Sequence, residues 1–441
     1  MSLFFSVSGL RGIAFLTLTP EYVLKVSATF CDLFDVPILV VGRDPRPSGK
    51  CFHHLVIASS LSREKFVLDG RIAPTPSIVY AVKKREKSSI GIVISASHNP
   101  PEWNGLKFIH PEGRFLFENE IERLKKEVSF FSWEKIKNVY RIEKFSPVKE
   151  HIDGIIENKF ILKDLIREKR FRVAIDTAGG AGSKSFPKLL SKLGCEVLPF
   201  NTQMGVFERP LEVNTENIRE FGNFVKEKKA DIGFAIDADG DRLQIVTKDG
   251  KILSEEETLP ICLNYLLSVE KKDIVTNFST TEQVEEVAEK FGVKVYRTKV
   301  GEANIVKKMI EEEAGYGGEG NGGVIVRDFN MTRDALFASA IVLSFLTQFN
   351  DSREFKKLFK KRFMKKLKFF ISERRIPEKI LDFTQKLNFL EINGEDGVRL
   401  KFDSGFIHIR PSNTEPVLRV IIESEEKEVV EEWERKIRGL I

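Results

Sequence analysis

The chain has 441 residues, 42% of them hydrophobic and 31% charged, a mix that can bury sizeable cores and excludes a mainly disordered protein. At roughly 100–200 residues per domain, this length implies several domains. Lys and Arg total 70 against 65 Asp and Glu, a formal charge of +5. So small an excess over so many charges argues against a nucleic-acid partner, whereas a phosphorylated small molecule needs only a local positive patch.

The four cysteines, at positions 31, 51, 195 and 262, form no CxxC pair and no cluster with histidine. That spacing suits neither a zinc site nor a disulfide scaffold and fits a reducing compartment. The opening MSLFFSVSGLRG lacks the basic start and apolar run of a signal peptide. No stretch reaches the roughly 18 apolar residues of a membrane span. The expectation is a cytoplasmic protein with no membrane partner.

In chain order, 36–41 (VPILVV) reads as a buried strand leading into GRDPRPSG, and 90–94 (IGIVI) as another leading into SASHNPPEWNG. Strands that end in polar, Gly/Pro-rich loops are how α/β proteins present sites. A helix is expected at 121–128 and a boundary at FSPVK, 145–149. A second unit has strands at 172–175, 196–200 and 231–236, a helix at 185–193, and a further strand at 243–246. A third has strands at 273–276 and 293–296 and helices at 282–291 and 335–349. The strongly basic stretch 351–368 reads as a helical linker. The remainder reads as α+β, with strands at 398–402, 406–409 and 418–422 and a charged terminal helix. The recurring strand–loop–helix rhythm of the first three units hints at duplication.

The loops carry the chemistry. In DADGDR, Asp237, Asp239 and Asp241 alternate directly after an apolar strand, and alternate carboxylates around a glycine converge on one hard cation of the Mg²⁺ kind. The EF-hand spacing fails, because no Glu stands at the twelfth loop position. Arg242 follows and suits a phosphate fork. SASHNPPEWNGLK holds Ser97 on a loop stiffened by two prolines, with His98 beside it and Lys107 returning as an acid/base or phosphate clamp. GYGGEGNGG, 315–323, offers Glu319 and Asn321 for sugar hydroxyls and matches neither a Walker A loop nor a dinucleotide fingerprint. RPSNTEPVLR supplies Arg410, Ser412, Asn413, Thr414 and Arg419, a good anion nest. Near the start, Ser8, Arg11, Arg43 and Arg46 also suit phosphate contacts.

Each loop alone has a bland reading as a surface turn; the ordered set is specific. It resembles the α-D-phosphohexomutase superfamily, which includes phosphoglucomutases, phosphomannomutases and phosphoglucosamine mutases. SGLRG is similar to the family's N-terminal SGIRG, SASHNPPEWNGLK to its phosphoserine loop, and DADGDR to its metal loop. GGEGNGG is similar to its sugar loop and RPSNTEPVLR to its phosphate loop, while VGRDPRPSG, DGRIAPTP, DTAGGAGS and TKVG support the match.

The resemblance implies an α/β fold of four domains around a central cleft: three related α/β units with mixed sheets plus a smaller C-terminal α+β domain. Boundaries are expected at 1–148, 149–246, 247–352 and 353–441. It implies an intramolecular phosphotransferase that interconverts hexose 1- and 6-phosphates through phosphorylated Ser97 and a hexose 1,6-bisphosphate. One Mg²⁺ would be held by Asp237, Asp239, Asp241 and the Ser97 phosphate. Arg11 and Arg242 would stabilise the moving group, Lys107 would be the acid/base, and His98 would position the loop. Glu319, Asn321 and Lys299 would face the sugar, and Arg410, Ser412, Asn413, Thr414 and Arg419 the second phosphate. The enzyme would be a monomer or homodimer.

The chain departs from the family pattern at Val7, Glu302, Asn321, Gly323 and Asn413. The Asn-Gly-Gly sugar loop lacks the histidine of many relatives, which leaves the preferred sugar open between the phosphomannomutase/phosphoglucomutase and phosphoglucosamine mutase types. Remoter readings are a phosphatase with Asp237 as nucleophile and a non-catalytic sugar-phosphate sensor.

Overall fold

The computed structural model describes residues 3–7, 9–133, 138, 141–371, 376–377, 389–412 and 417–440. Three sheets share one strand order. In the second sheet, Arg172–Asp176 lies between Glu196–Phe200 and Ile232–Ile236, parallel to both, and Leu243–Thr247 adds antiparallel to Ile232–Ile236. In the third, Ile274–Asn277 lies between Val295–Thr298 and Tyr316–Glu319, again parallel, and Gly323–Val326 adds antiparallel. In the first, Ile38–Arg43 lies between Phe66–Ile72 and Ser89–Ile94, and Trp103–His110 adds antiparallel. That sheet is extended at its edges by Phe4–Ser6 and Gly9–Ile13 on one side and Ile142–Lys144 on the other.

The central strands are short apolar runs because both faces are covered. Every residue of Ile232–Ile236 and of Ser89–Ile94 is buried. One hydrophobic cluster joins the second and third units, drawing residues from Ile152 to Phe355 together with Tyr80 of the first. At its centre lies helix Ala335–Leu346, with all twelve residues buried. It packs on helices Lys163–Lys169 and Gly182–Lys192 and strand Leu243–Thr247 of the second unit, and on Thr258–Val269 of the third. A helix apolar on all sides is one enclosed on all sides.

The fourth sheet is antiparallel, in the order Phe363–Phe370, Val417–Ser424, Gly405–Pro411, Val398–Phe402, Glu391–Asn393, and helix Lys427–Arg438 packs against it. This corrects the expected helical linker. Only Ser352–Lys357 forms a short 3₁₀ turn, and Phe363–Phe370 is a strand paired along its whole length with Val417–Ser424. Charge misled the helical reading; Phe363, Leu367 and Phe369 alternate onto the core of the fourth unit, while Lys365 pairs with Glu434 of the terminal helix and Lys366 with Glu255 and Glu256 of the third unit.

The cysteines are free. Among the described residues, no helix is long and apolar enough to cross a membrane.

Candidate active site

The shared strand order puts three of the predicted loops in one topological place. Residues 95–102, 237–242 and 320–322 each connect the last parallel strand of a unit to its antiparallel partner. The first two meet at Ser97 and Asp237, and the third reaches the end of the second through the Gly322 carbonyl, which accepts the Leu243 N–H at 2.9 Å.

Ser97 is 1% exposed and takes the left-handed conformation, φ +52°, which costs a residue with a Cβ about 1–2 kcal/mol. Its surroundings enforce it. The Ser97 N–H donates to Ser95 Oγ at 2.9 Å, and Ser95 Oγ donates to Asp44 Oδ2 at 2.6 Å. Arg46 donates from Nε to the same Asp44 oxygen at 2.9 Å and from Nη1 to the carbonyls of Pro100 and Trp103, at 2.5 and 3.2 Å. Its Nη2 donates to the Ser97 carbonyl. Arg46 is therefore spent inside the protein as a brace for the serine loop, and it is not a phosphate ligand. Arg43 likewise turns Nη1 to the Asp44 carbonyl at 3.0 Å. The outcome of the brace is that Ser97 Oγ points across the domain boundary and donates to Asp237 Oδ2 at 3.1 Å.

The three aspartates are fully buried, and one oxygen of each lies within 4.8 Å of the others. Each also has an oxygen tied to the protein. Asp237 Oδ1 accepts the N–H groups of Asp241 and Arg242 at 3.1 and 3.2 Å. Asp239 Oδ2 accepts Thr75 Oγ1 and Lys107 Nζ, both at 2.5 Å. Asp241 Oδ2 accepts Arg333 Nη2 at 2.6 Å and lies 3.6 Å from Lys107 Nζ. Asp239 Oδ1 and Asp241 Oδ1 are left buried without a hydrogen-bond partner. Orphaned oxygens on carboxylates at 0% exposure are costly unless a cation takes them. The all-oxygen set fits Mg²⁺. Burial and the neighbouring Asp241 and Asp239 push the Asp237 carboxyl well above its usual range. Burial alone would lower the Lys107 ammonium, but Asp239 and Asp241 outweigh it and hold it above its ordinary value.

Donors crowd the same place. Arg11 reaches Asn99 Oδ1 at 3.0 Å through Nη1, while Arg11 Nε and Arg242 Nε are buried without a hydrogen-bond partner. Burial pushes Arg11 down to about 10. Burial, then the nearby Arg242 and Arg11, hold His98 well below its ordinary value, so the imidazole is neutral. Arg242 stands in loose ion pairs, 3.7 Å from Asp241 Oδ1 and 3.8 Å from Glu212 Oε1; guanidinium N–H groups without hydrogen bonds beside buried carboxylates suit a bound phosphoryl group with its counter-ion.

Glu319 lies at the end of its strand and accepts four donors. Oε1 takes Asn277 Nδ2 at 3.0 Å and the Gly301 N–H at 3.3 Å. Oε2 takes Arg333 Nη1 at 2.6 Å and Asn321 Nδ2 at 3.3 Å. Asn321 Oδ1 is buried without a partner. Lys299 is exposed, and the next residue, Val300, donates its N–H to Asp396 Oδ2 at 2.9 Å. That same oxygen accepts Arg410 Nε at 3.2 Å. Asp396 thereby joins Arg410 to the TKVG segment, whose Gly301 N–H in turn meets Glu319. Arg410 and Arg419 are register partners on neighbouring strands of the fourth sheet. The Ser412 N–H donates to the Val417 carbonyl at 2.8 Å and closes the base of the loop between those strands. Asn413 and Thr414, like Ser8, lie outside the described residues.

Sequence reasoning missed Thr75, Arg333 and Asp396. Thr75 lay inside a flagged stretch, DGRIAPTP, with no role assigned. Arg333 and Asp396 carry no motif signal; Arg333 meets Asp241 across 92 positions and Asp396 meets Val300 across 96.

The chain matches family models described as phosphoglucomutase/phosphomannomutase, alpha/beta/alpha domain I at residues 2–131, domain II at 149–250 and domain III at 254–365, and the C-terminal domain at 354–440. A phosphoglucomutase/phosphomannomutase of Thermococcus kodakarensis is 33% identical, over 98% of this chain and 97% of that protein. A probable phosphoglucosamine mutase of Pyrococcus furiosus is 30% identical, over 100% and 98%. The crystal structure of a phosphoglucomutase/phosphomannomutase family protein from Burkholderia thailandensis superposes with a TM-score of 0.87 at 24% identity, covering 99% of this chain and 96% of that one.

Proposed function

Since the chain belongs to the phosphoglucomutase/phosphomannomutase family, whose members are isomerases of the phosphotransferase kind, we propose that it interconverts hexose 1-phosphates and hexose 6-phosphates through a phosphoserine at Ser97. The observation that carries this reading is Ser97 Oγ held 3.1 Å from Asp237 Oδ2, at the edge of a buried carboxylate triad. A Mg²⁺ bound by Asp237, Asp239, Asp241 and the Ser97 phosphate would neutralise charge on the transferring oxygens.

In the forward half-reaction the bond between phosphorus and Ser97 Oγ breaks and one to the free sugar hydroxyl forms, giving a hexose 1,6-bisphosphate. The hydroxyl loses a proton and Ser97 Oγ gains one. Lys107 is the carrier proposed for it, delivering its proton to the departing serine oxygen and recovering one from the hydroxyl. Arg11 and Arg242 steady the phosphoryl group in passage, and His98, whose Nδ1 is buried without a hydrogen-bond partner, is assigned the positioning of the loop. Glu319 and Asn321 engage the sugar, with Lys299 at the rim. Arg410, Ser412, Asn413, Thr414 and Arg419 grip the phosphate that stays. After the intermediate turns end for end, the other phosphate returns to Ser97. We divide the chain into working units at residues 148, 246 and 352.

The glucose and mannose phosphates are the first choice, supported by the name of the Thermococcus relative. Glucosamine phosphate is the second. The orphaned Asn321 Oδ1 beside the Glu319 carboxylate makes the sugar loop rich in acceptors, which suits a 2-ammonium group. The test is turnover of glucose 1-phosphate, mannose 1-phosphate and glucosamine 1-phosphate, with Mg²⁺ and a trace of glucose 1,6-bisphosphate, each followed to its 6-phosphate by NMR. Conversion of one or more is expected, and the ranking names the sugar. Release of inorganic phosphate alone would favour a phosphatase, and silence a sensor.

A further inference from the structure

Arg333 stands just before helix Ala335–Leu346, on a backbone pinned from both sides. Asp334 caps the helix, accepting the Phe337 N–H at 3.0 Å, while its other oxygen meets His151 Nε2 at 2.7 Å and Asn330 Nδ2 at 3.0 Å. On the other side, Thr332 Oγ1 and the Arg333 N–H both donate to Glu302 Oε1, at 2.5 and 2.9 Å. A side chain leaving so constrained a turn is aimed in advance.

Its guanidinium fans over three carboxylates from three segments. Nη2 donates to Asp241 Oδ2 and Nη1 to Glu319 Oε2, both at 2.6 Å, while Nε stands 3.1 Å from Glu302 Oε2 as an ion pair without a hydrogen bond. The path is open because residue 323 is glycine: a Cβ there would stand 2.2 Å from Arg333 Cδ. One cation cannot neutralise three anions, so what each carboxylate receives depends on the other two. Asp241 belongs to the triad and Glu319 to the sugar loop, and this side chain touches both.

We propose that Arg333 is a positioning residue: it clamps Asp241 Oδ2 so that Oδ1 faces the triad's cation, and through the same guanidinium it makes cation affinity depend on Glu319. The inference rests on the functional reading above, which supplies the cation and the sugar. Clamping one oxygen of a ligating carboxylate is the usual task of the residues behind a metal site. The added feature is that the clamp is shared. When Glu319 gives up its charge, Arg333 draws harder on Asp241 and the triad holds its cation less well. By reciprocity, a filled triad alters how Glu319 meets a sugar.

The test titrates the full-length protein with Mg²⁺ alone, by calorimetry, in a double-mutant cycle. Arg333→Lys keeps the charge and removes the fork, and about a tenfold loss of Mg²⁺ affinity is expected. Glu319→Gln is expected to weaken Mg²⁺ binding about fivefold more in the native background than in Arg333→Met/Glu302→Gln. That background removes one buried charge of each sign and so guards against simple unfolding. A purely structural Arg333 would lower affinity while leaving the Glu319 effect equal in both backgrounds. That equality overturns the inference, as does native Mg²⁺ affinity in Arg333→Lys. If the native protein turns over hexose phosphates but the cycle shows no coupling, the inference alone fails. If it neither binds Mg²⁺ nor turns over substrate, the functional reading fails and takes the inference with it.

Discussion

Thr75 meets Asp239 twice: its Oγ1 donates to Asp239 Oδ2 at 2.5 Å, and its backbone N–H donates to the Asp239 carbonyl at 2.8 Å. The first unit thereby holds a carboxylate of the second and keeps Asp239 Oδ1 free for a cation. Thr75→Val preserves shape and the backbone bond while deleting the hydroxyl. Mg²⁺ affinity, read by calorimetry, is expected to fall about tenfold or more, with the unfolding midpoint nearly unchanged.

Ser97 should separate chemistry from stability. Ser97→Ala and Ser97→Gly are both expected to abolish mutase turnover and phosphoserine formation, read by NMR and by intact mass. Because residue 97 sits at φ +52°, the glycine variant should be more stable than the alanine one by about 1 kcal/mol in denaturant unfolding. Near-native turnover in either would remove Ser97 from the mechanism.

Arg46 tests the brace. Its side chain is 0% exposed, as is that of its partner Asp44. Arg46→Met leaves the Asp44 charge buried without its counter-ion, which costs about 3–5 kcal/mol. Unfolding experiments should show that loss, and Arg46→Met/Asp44→Asn should recover much of it. Equal stability of native and Arg46→Met proteins would count against the brace.

Glu423 should make stability depend on pH. Burial raises its carboxyl from 4.5 to about 7 despite the neighbouring Arg362. The folded state therefore binds this proton more tightly than the unfolded chain does. The stability it confers is full below about pH 4.5 and is lost as pH rises towards 7. Glu423→Gln should match the native protein near pH 4.5 and become the more stable of the two, by up to a few kcal/mol, at about pH 8. Parallel unfolding curves at both pH values check this.

The site was legible where function needs a residue type at a set spacing. The alternating aspartates, the serine ahead of two prolines and the glycine-rich stretch are all local patterns, and the first two follow the strands expected before them. The glycine-rich stretch reads as a loop throughout, yet Tyr316–Glu319 and Gly323–Val326 are strands and only 320–322 connects them, because glycines carry no strand signal of their own. Arg333, Thr75 and Asp396 were not legible, because nothing near them in the chain marks an arginine, a threonine or an aspartate as unusual. The basic stretch after residue 351 shows the opposite failure. Its lysines suggested a solvated helix, yet the strand Phe363–Phe370 exists because Val417–Ser424 lies alongside to pair with it.

By itself the sequence determined the α/β class, the family resemblance and the reactive groups, since these follow from periodicity and from side-chain chemistry carried within a few residues. The tertiary structure decided which oxygens of those groups are free and which are tied. That depends largely on partners far along the chain, as with Ser97 and Asp237, Thr75 and Asp239, or Arg333 and Asp241. Hydrogen-bond geometry acts over about 3 Å of space, and only folding brings such distant residues within that range.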